Sequence, residues 1–372
     1  MLKLIRLSGA VLATALAATI LTSCGVADKE AQSDSTRMLV GAGTPVPAAG
    51  ETQAVATQRA DAADDPEIWV DPKDSSRAII FGTDKQAGLY SYDLSGKILG
   101  FIPDGRLNNV DLRPDFPTPT GPRVLIAASD RGRMGAALYL MNPATLEISP
   151  WGVVPLDLSE PYGLCIGRRG EDFVVLVNST DGQIRQFRVT ADDQGKALAA
   201  EERRFAVPSQ PEGCVVDDVR GIFYIGEEAK GIWQFDLDPL KSAQGRIIAA
   251  APSHMLKPDV EGLTLMREGA VTWLIASSQG DSAFAVWRVD GSPPQYRGRF
   301  SVVPANGVDA VTGTDGVAAQ SGPVGQFPEG LVVMQDDVES ADESDSTVRS
   351  RQNFKLVDWR DVRRVLNLDL SK

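Results

Sequence analysis

The sequence predicts an all-β protein with the fold of a six-bladed β-propeller. Six short apolar runs recur at intervals of about fifty residues, and each begins next to an acidic, amide or tyrosine side chain. Each is followed by a second apolar run that ends in polar groups, and the first five units add a third run such as GIWQFDL. A period of this length built from consecutive strands is typical of propellers, with one four-stranded sheet per repeat. The residues that open the six units are Asp65, Asn109, Tyr162, Glu212, Glu261 and Asp315.

Residues 1–23 have the pattern of a secretory signal peptide rather than of a folded element. Lys3 and Arg6 precede an apolar run that begins at Leu7. The sequence Leu-Thr-Ser-Cys that ends at Cys24 resembles a bacterial lipobox, which predicts a lipid anchor on this cysteine. We therefore expect an exported protein at the outer membrane, in the periplasm or at the cell surface, which meets the membrane only through the anchor. An ordinary signal peptide with an incidental cysteine is the alternative.

The rest of the chain divides into a linker and one domain. Residues 24–59 are rich in Ala, Thr, Ser, Gly and Pro, which predicts a flexible tether. Its segment ETQAVAT is alternatively a strand that closes the ring. Residues 60–372 form the propeller, with an exposed polar loop over 338–351 and a last strand at NFKLVDW. Cys165 and Cys214 lie in first strands of neighbouring units, where we expect buried free thiols rather than a disulfide, although export permits one.

The composition excludes several classes of chemistry. The single histidine, His254, is followed by Met-Leu-Lys-Pro, which matches no serine hydrolase, multi-imidazole zinc enzyme or histidine phosphatase. The formal charge of −13 becomes −15 once Lys3 and Arg6 leave with the signal peptide. The electrostatic field of a protein with this negative charge repels polyanions unless metal cations lie between the two, so we expect no nucleic-acid partner.

Carboxylates are the chemistry that remains. They recur at strand starts and strand ends of the units, so we expect them to converge at one mouth of the central channel. Oxygen ligands without sulfur or imidazole suit hard cations, and irregular loops with many carboxylates favour Ca²⁺ over Mg²⁺. The alternative for any single residue is a solvated turn or a strand-end cap. The candidates are Asp64, Asp65, Glu212, Glu227, Glu228, Asp259, Glu261, Asp309 and Asp315.

Three further residues fall at the same end of different units. They are Lys85, Arg131 and Tyr162. Cations embedded in a calcium-rich acidic rim favour a ligand more negative than a simple carboxylate. Phosphate fits, because its oxygens bridge metal ions while lysine and arginine contact the others. The residues alone therefore indicate calcium-dependent handling of a phosphorylated ligand.

Several of these segments also resemble one known family. The segments DAADDPEIWVDP, RLNNVDLRPDFP, PEGCVVDD, YIGEEAKGIW, KPDVEGLTL and RQNFKLVDW occur in family order between about Asp61 and Trp359. They are similar to the β-propeller phytases, calcium-dependent phosphatases that remove phosphate from inositol hexakisphosphate. The resemblance implies a 3-phytase that acts on calcium–phytate as a small-molecule substrate, and we expect a monomer.

The resemblance also implies a role for each residue at the mouth. The residues that match ligands of the catalytic calcium ions are Asp64, Glu212, Glu228, Asp259, Glu261 and Asp315. The residues that match phosphate contacts are Lys85, Arg131 and Tyr162. The residues that match a structural calcium site are Asp65 and, through backbone oxygens, Pro66 and Val110. The residues that match a calcium site in the channel are Asp309 and, less closely, Asp336, and Glu51 loosely matches one further ligand.

The implied mechanism needs no protein nucleophile, in agreement with the lack of a suitable histidine. A water that bridges calcium ions attacks phosphorus while Lys85 and Arg131 neutralise the developing charge. Gln86 replaces a second lysine, and Thr180-Asp181 replaces a Lys-Glu pair of a neighbouring phosphate site, which weakens that site. Two alternatives stay open: a non-catalytic calcium-binding propeller, and a propeller hydrolase of other phosphate esters.

Overall fold

The chain forms the six-bladed propeller that the sequence predicts. A computed structural model describes residues 41–58, 61–338 and 351–370, which fold into six sheets. The predicted signal peptide, the anchor residue Cys24 and most of the predicted polar loop lie outside the described residues. None of the described helices is both long and apolar enough to span a bilayer.

The strands follow one another in chain order within each blade. Two strands precede the first blade: β1 (Thr44–Pro47) and β2 (Gly50–Glu51). Blade 1 contains β3 (Ala63–Asp71), β4 (Asp74–Asp84), β5 (Gly88–Tyr92) and β6 (Ile98–Ile102). Blade 2 contains β7 (Leu107–Phe116), β8 (Arg123–Asp130), β9 (Gly135–Met141) and β10 (Ile148–Pro155). Blade 3 contains β11 (Pro161–Arg169), β12 (Asp172–Ser179), β13 (Gln183–Ala191) and β14 (Ala197–Ala206).

The last three blades continue this pattern. Blade 4 contains β15 (Pro211–Asp217), β16 (Ile222–Glu227), β17 (Gly231–Asp236) and β18 (Arg246–Ala250). Blade 5 contains β19 (Leu263–Glu268), β20 (Val271–Ser278), β21 (Ala283–Arg288) and β22 (Gln295–Val303), with a 3₁₀ turn at Gln279–Asp281. Blade 6 contains β23 (Val317–Ser321), β24 (Gly330–Asp336) and β25 (Asn353–Asp358), which helix α1 (Trp359–Leu366) follows.

The first strand of each blade lines the central axis. Each first strand forms one edge of its sheet and contacts the first strands of the two neighbouring blades. The first and second strands are antiparallel in every blade. The start of each first strand and the end of each second strand therefore lie at the same mouth of the channel, as the repeat pattern predicted.

The N-terminal strands close the ring. Strand β2 pairs with β25 and supplies the outer strand of blade 6, with Glu51 opposite Lys355. Strand β1 adds a fifth strand to blade 5 through parallel pairing with β22. Part of the segment predicted as a tether is thus paired with the propeller, and Glu51, the first residue of ETQAVAT, lies in β2.

The expectation of free thiols is wrong. Cys165 of β11 and Cys214 of β15 form a disulfide, with their Cα atoms 5.7 Å apart. The reason is the geometry of the axis: equivalent positions of neighbouring first strands face each other, so a separation of one repeat brings the two cysteines together. The bond covalently joins blades 3 and 4 beside the channel.

Candidate active site at the mouth of the channel

Four residues of the mouth are each followed by a glycine that lets the blades approach closely. A Cβ atom on Gly163 would lie 1.8 Å from the carbonyl oxygen of Glu212, and one on Gly213 would lie 2.3 Å from that of Glu261. Gly262 and Gly316 meet the next blade's backbone in the same way, at 2.6 Å each. No other residue fits such gaps. The glycines therefore draw the side chains that precede them toward one another: Tyr162, Glu212, Glu261 and Asp315.

Lys85 stands where several carboxylates converge. It follows strand β4 directly and is only 2% exposed. Its Nζ lies 2.8 Å from Asp61 Oδ2, 3.1 Å from Asp64 Oδ1 and 2.9 Å from Asp315 Oδ2. One ammonium group thus ties the entry of blade 1 to the entry of blade 6.

The carboxylates around Lys85 are buried and repel one another. Asp64 is fully buried, and within the described part of the chain its carboxylate oxygens make no hydrogen bond beyond the ion pair with Lys85. Burial raises the pKa of Asp64 to about 7, with a further upward contribution from Asp315, although Lys85 lowers it. Burial, and then the Asp64 charge, raise the pKa of Glu212 well above its usual range. The single positive charge of Lys85 is too small to neutralise this group of carboxylates.

Blade 5 contributes the opposite side of the same cluster. Burial, and then the charges of Asp315 and Glu212, raise the pKa of Glu261 well above its usual range, and Glu228 acts in the same direction. Gln279 Nε2 donates to Glu261 Oε2 at 3.0 Å and to Asp315 Oδ1 at 2.6 Å. The structure therefore brings together five of the six carboxylates predicted as catalytic calcium ligands: Asp64, Glu212, Glu228, Glu261 and Asp315.

The predicted phosphate-binding arginine lies beside this cluster. Arg131 follows β8, and its guanidinium carbon lies 5.4 Å from the centre of the Tyr162 ring. Its Nε donates to Glu160 Oε1 at 2.7 Å, and its Nη1 donates to Asn108 Oδ1 at 3.3 Å. Two predicted phosphate contacts therefore stack on each other, in an orientation set by neighbouring polar groups.

Asp65 lies on the channel side of the mouth. Its Oδ2 accepts a 3.0 Å hydrogen bond from the backbone N–H of Val110, which links blades 1 and 2. Burial, and then the Asp64 charge, raise the pKa of Asp65 well above its usual range. Asp65, Pro66 and Val110 all line a cavity of about 380 Å³ that runs along the first strands. The three residues predicted to share a structural ion are therefore adjacent.

The second predicted calcium site contains a lysine that the sequence analysis missed. Lys355 of β25 is fully buried, and its Nζ lies 2.5 Å from Asp309, 3.2 Å from Asp336 and 2.6 Å from Glu51. It also donates to Asn353 Oδ1 at 3.0 Å. Burial raises the pKa of Asp336 to about 7 in spite of this ammonium. Asp309, Asp336 and Glu51 therefore converge on a cation that the chain itself supplies.

One predicted ligand, Glu227, is placed differently. Glu227 precedes Glu228, and its carboxylate accepts hydrogen bonds from Ser209 and, at 2.7 Å, from Trp233 Nε1. The structure does not bring it into the carboxylate cluster. Asp259 is positioned through its carbonyl oxygen, which accepts from the backbone N–H of Gln279 at 3.0 Å.

The donor chemistry of the mouth suits a hard cation, although the geometry is not that of a finished metal site. Across the described residues, no group of three or more His, Cys, Asp or Glu side chains has the arrangement of such a site. Lys85 Nζ instead takes the point where Asp61, Asp64 and Asp315 meet. Buried carboxylate oxygens such as those of Asp64, whose contact among the described residues is the ion pair with Lys85, are the expected partners of a cation. Calcium binding there requires these side chains to turn toward a shared ion.

Sequence reasoning missed the amides that connect the charged groups. Gln279 lies in ASSQG, at the polar end of a second strand, the position that Lys85 and Arg131 occupy in their own units. Asn108 stands next to Asn109, which the repeat pattern had singled out. The repeat pattern therefore led to both segments, but neither amide was chosen as a candidate site residue.

Comparison with known proteins gives an independent view of the chain. The family model described as Phytase matches residues 8–371. A 3-phytase of Bacillus subtilis (strain 168) is 33% identical over 312 residues, which is 81% of this chain and 80% of that protein. A solved nidogen/laminin complex aligns with a TM-score of 0.46 and 16% identity, over 70% of this chain and 85% of that chain. The family match includes all six blades and every site residue described above.

Proposed function

Because the chain belongs to the phytase family, we propose that it is a calcium-dependent 3-phytase that hydrolyses phosphomonoesters of inositol hexakisphosphate. One observation carries the calcium dependence: buried carboxylates converge at the mouth with too few cations to balance them. The raised pKa values of Asp64, Glu212 and Glu261 express this imbalance. Bound cations relieve it and at the same time attract a highly anionic substrate.

The residues of the chain have separate roles in this reaction. Lys85 lies between Asp64 and Asp315, and we assign it to contact a phosphate oxygen once a cation has taken its place among these carboxylates. Arg131, whose guanidinium lies over the Tyr162 ring, is assigned to contact another phosphate oxygen. Both groups stabilise negative charge that develops on phosphorus-bound oxygens in the transition state. Tyr162 fixes the plane of the guanidinium and is only 3% exposed, so it excludes water from that side.

The carboxylates would hold the metal. The proposed catalytic ligands are Asp64, Glu212, Glu228, Asp259, Glu261 and Asp315. Calcium, when bound, supplies Lewis acidity and activates a water as the nucleophile, which agrees with the lack of a suitable histidine. We assign Asp65, with the carbonyl oxygens of Pro66 and Val110, to a structural calcium site.

The substrate preference depends on a second phosphate position. Gln86 follows Lys85 and, as a neutral amide, offers no positive charge to a second phosphate. Its Nε2 donates to the carbonyl oxygen of Asp61 at 3.2 Å. Asp181 accepts hydrogen bonds from the backbone and side chain of Gln183, within its own turn. We therefore expect weaker discrimination between phytate and smaller phosphate esters than a second lysine would provide.

Export and lipid anchoring remain part of the proposal. The Cys165–Cys214 disulfide supports export, since disulfides persist in oxidising compartments. Metabolic labelling with palmitate should mark the full chain and not its Cys24→Ala variant. Labelling of both chains, or of neither, would remove the lipid anchor from the proposal.

Phosphate release from calcium–phytate and from p-nitrophenyl phosphate, with and without chelator, tests the function. We expect release from phytate that chelator abolishes and that added calcium restores. Release from p-nitrophenyl phosphate alone would favour the general phosphate-ester hydrolase. Calcium binding without release from either substrate would favour the non-catalytic propeller.

A further inference from the structure

Asn108 connects the two halves of the proposed site. It lies in strand β7 and is fully buried. Its Nδ2 donates to Glu212 Oε1 at 2.7 Å, and its Oδ1 accepts from Arg131 Nη1 at 3.3 Å. A second donation from Nδ2, to Asn109 Oδ1 at 3.2 Å, fixes the plane of the amide. One side chain therefore contacts both a proposed metal ligand and a proposed phosphate contact.

An amide is suited to this position because it carries a donor and an acceptor at a fixed separation. The donor faces the carboxylate of Glu212, and the acceptor faces the guanidinium of Arg131. Reversal of the amide would place like groups against each other at both ends. The rotation of Asn108 is thus dictated by both partners, and movement of either partner is transmitted to the other.

Arg131 is held from the other side by Glu160, at 2.7 Å from Nε. Arg106 shares the same oxygen of Glu160, with its Nη2 at 3.6 Å. Glu160 is partly open to solvent, whereas Asn108 is sealed from it. Of the two contacts, only the one through Asn108 leads on to the carboxylate cluster.

We propose that Asn108 is a positioning residue that couples cation binding at the carboxylates to phosphate binding by Arg131. The inference rests on the proposed function of the mouth. A cation that engages Glu212 fixes the carboxylate, which orients the amide of Asn108, and the amide in turn holds the guanidinium toward the phosphate. By linkage, phosphate then strengthens cation binding by the same factor.

Asn178 provides a matched control in the same part of the molecule. It is 1% exposed, and its Nδ2 donates to the backbone carbonyl oxygen of Glu212 at 2.7 Å. Its Oδ1 accepts from the backbone N–H of Gly163 at 2.9 Å. Asn178 thus uses the same amide group to hold the main chains of blades 3 and 4 together. These two hydrogen bonds involve neither the side chain of Glu212 nor Arg131.

Titration calorimetry on the purified protein tests the coupling directly. Inorganic phosphate is titrated into calcium-loaded and into chelated wild type, Asn108→Ala, Asn108→Ser and Asn178→Ala. In wild type we expect calcium to tighten phosphate binding. In both Asn108 variants this tightening should shrink by about tenfold, the worth of one hydrogen bond to a charged group. In chelated protein all four chains should bind phosphate with similar weak affinity.

Each outcome is decisive for the inference. Asn178→Ala should melt at a lower temperature and keep the wild-type ratio of phosphate affinities with and without calcium. A folded Asn108→Ser variant with that wild-type ratio, or an equal loss of the ratio in Asn178→Ala, would overturn the role of Asn108. Wild-type protein that releases no phosphate from phytate would instead overturn the proposed function, and the two failures are therefore distinguishable.

Discussion

Replacement of Lys355 by methionine is the most direct probe of the second predicted calcium site. The substitution retains an unbranched apolar stem and removes the ammonium from among Glu51, Asp309 and Asp336. Lys355 also lies opposite Glu51 in the pair of strands that closes the ring. The variant therefore leaves three carboxylates without their shared cation and weakens the closure.

The expected cost follows from the burial of the group. Removal of one partner from a buried ion pair costs about 3–5 kcal/mol, because an uncompensated charge is left behind. For a chain of this length we expect about 2 °C per kcal/mol, hence a melting temperature lower by about 6–10 °C. The pKa of Asp336 is already raised to about 7 by burial. An acid whose pKa is higher in the folded state stabilises that state at low pH and loses this contribution as pH rises. The deficit of the variant should therefore be smaller at pH 5 than at pH 8.

Thermal melts followed by circular dichroism, at both pH values and with calcium or chelator, provide the measurement. Excess calcium should restore part of the lost stability at pH 8. The carboxylates that Lys355 had neutralised are then free to bind a cation, and a cation that binds only to the folded state stabilises it. Lys241→Met is the matched control, since this exposed lysine pairs with Asp236 at 2.9 Å and should matter little. A Lys355→Met variant that melts like wild type in chelator, or whose deficit is independent of pH, would refute the reasoning.

Four further predictions concern the mouth and the disulfide. Glu212→Gln and Asp315→Asn should each lower phosphate release from phytate by about 10²–10³-fold while the melting curve stays cooperative; ordinary turnover in a folded, calcium-loaded variant would contradict the ligand assignment. Excess chelator should lower the melting temperature of wild type, and an unchanged curve would argue against calcium as a structural component. Metal-free protein should lose stability in urea as pH rises from about 4 to 7, because the pKa of Asp64 is raised to about 7 on folding; a flat profile would exclude this. The double variant Cys165→Ser/Cys214→Ser should be about 4 kcal/mol less stable in urea, given the separation of 49 residues between the two cysteines, and an unchanged denaturation midpoint would show that the crosslink contributes nothing.

The architecture was predictable because each blade is encoded by one short segment of the sequence and the pattern of that segment repeats six times. The openings at Asp65 and Glu212, and the strand ends before Lys85 and Arg131, fall where the period placed them. Each unit contains the same antiparallel pair of strands, so a strand whose pattern is ambiguous in one unit can be assigned from the other units. The convergence of the carboxylates then follows from closure of the ring.

The contacts that the sequence did not reveal are long-range and depend on side-chain direction. Cys165 and Cys214 face each other only because two first strands share the axis, and neither local sequence states that orientation. Lys355 was assigned to the correct final strand, but the pattern NFKLVD does not tell which acids lie opposite it. Gln279 carries no charge, so an inventory of charged groups passed over it. The resemblance to a family implied a set of ion ligands, but it did not indicate the amides and the lysine that contact these residues.

The balance of charge at the mouth ties these observations into one physical requirement. Five carboxylates act on one another there, and within the described part of the chain Lys85 is the ammonium that contacts Asp64 and Asp315. Without metal the protein lowers this repulsion by retention of protons, which is what the raised pKa values of Asp64, Glu212 and Glu261 mean. A cation that binds these carboxylates would displace those protons, so we expect cation affinity to increase with pH until the carboxylates are ionised. In the proposed function, a bound cation would supply the positive charge that Lys85 now supplies to Asp64 and Asp315, and Lys85 would then be able to turn toward a phosphate.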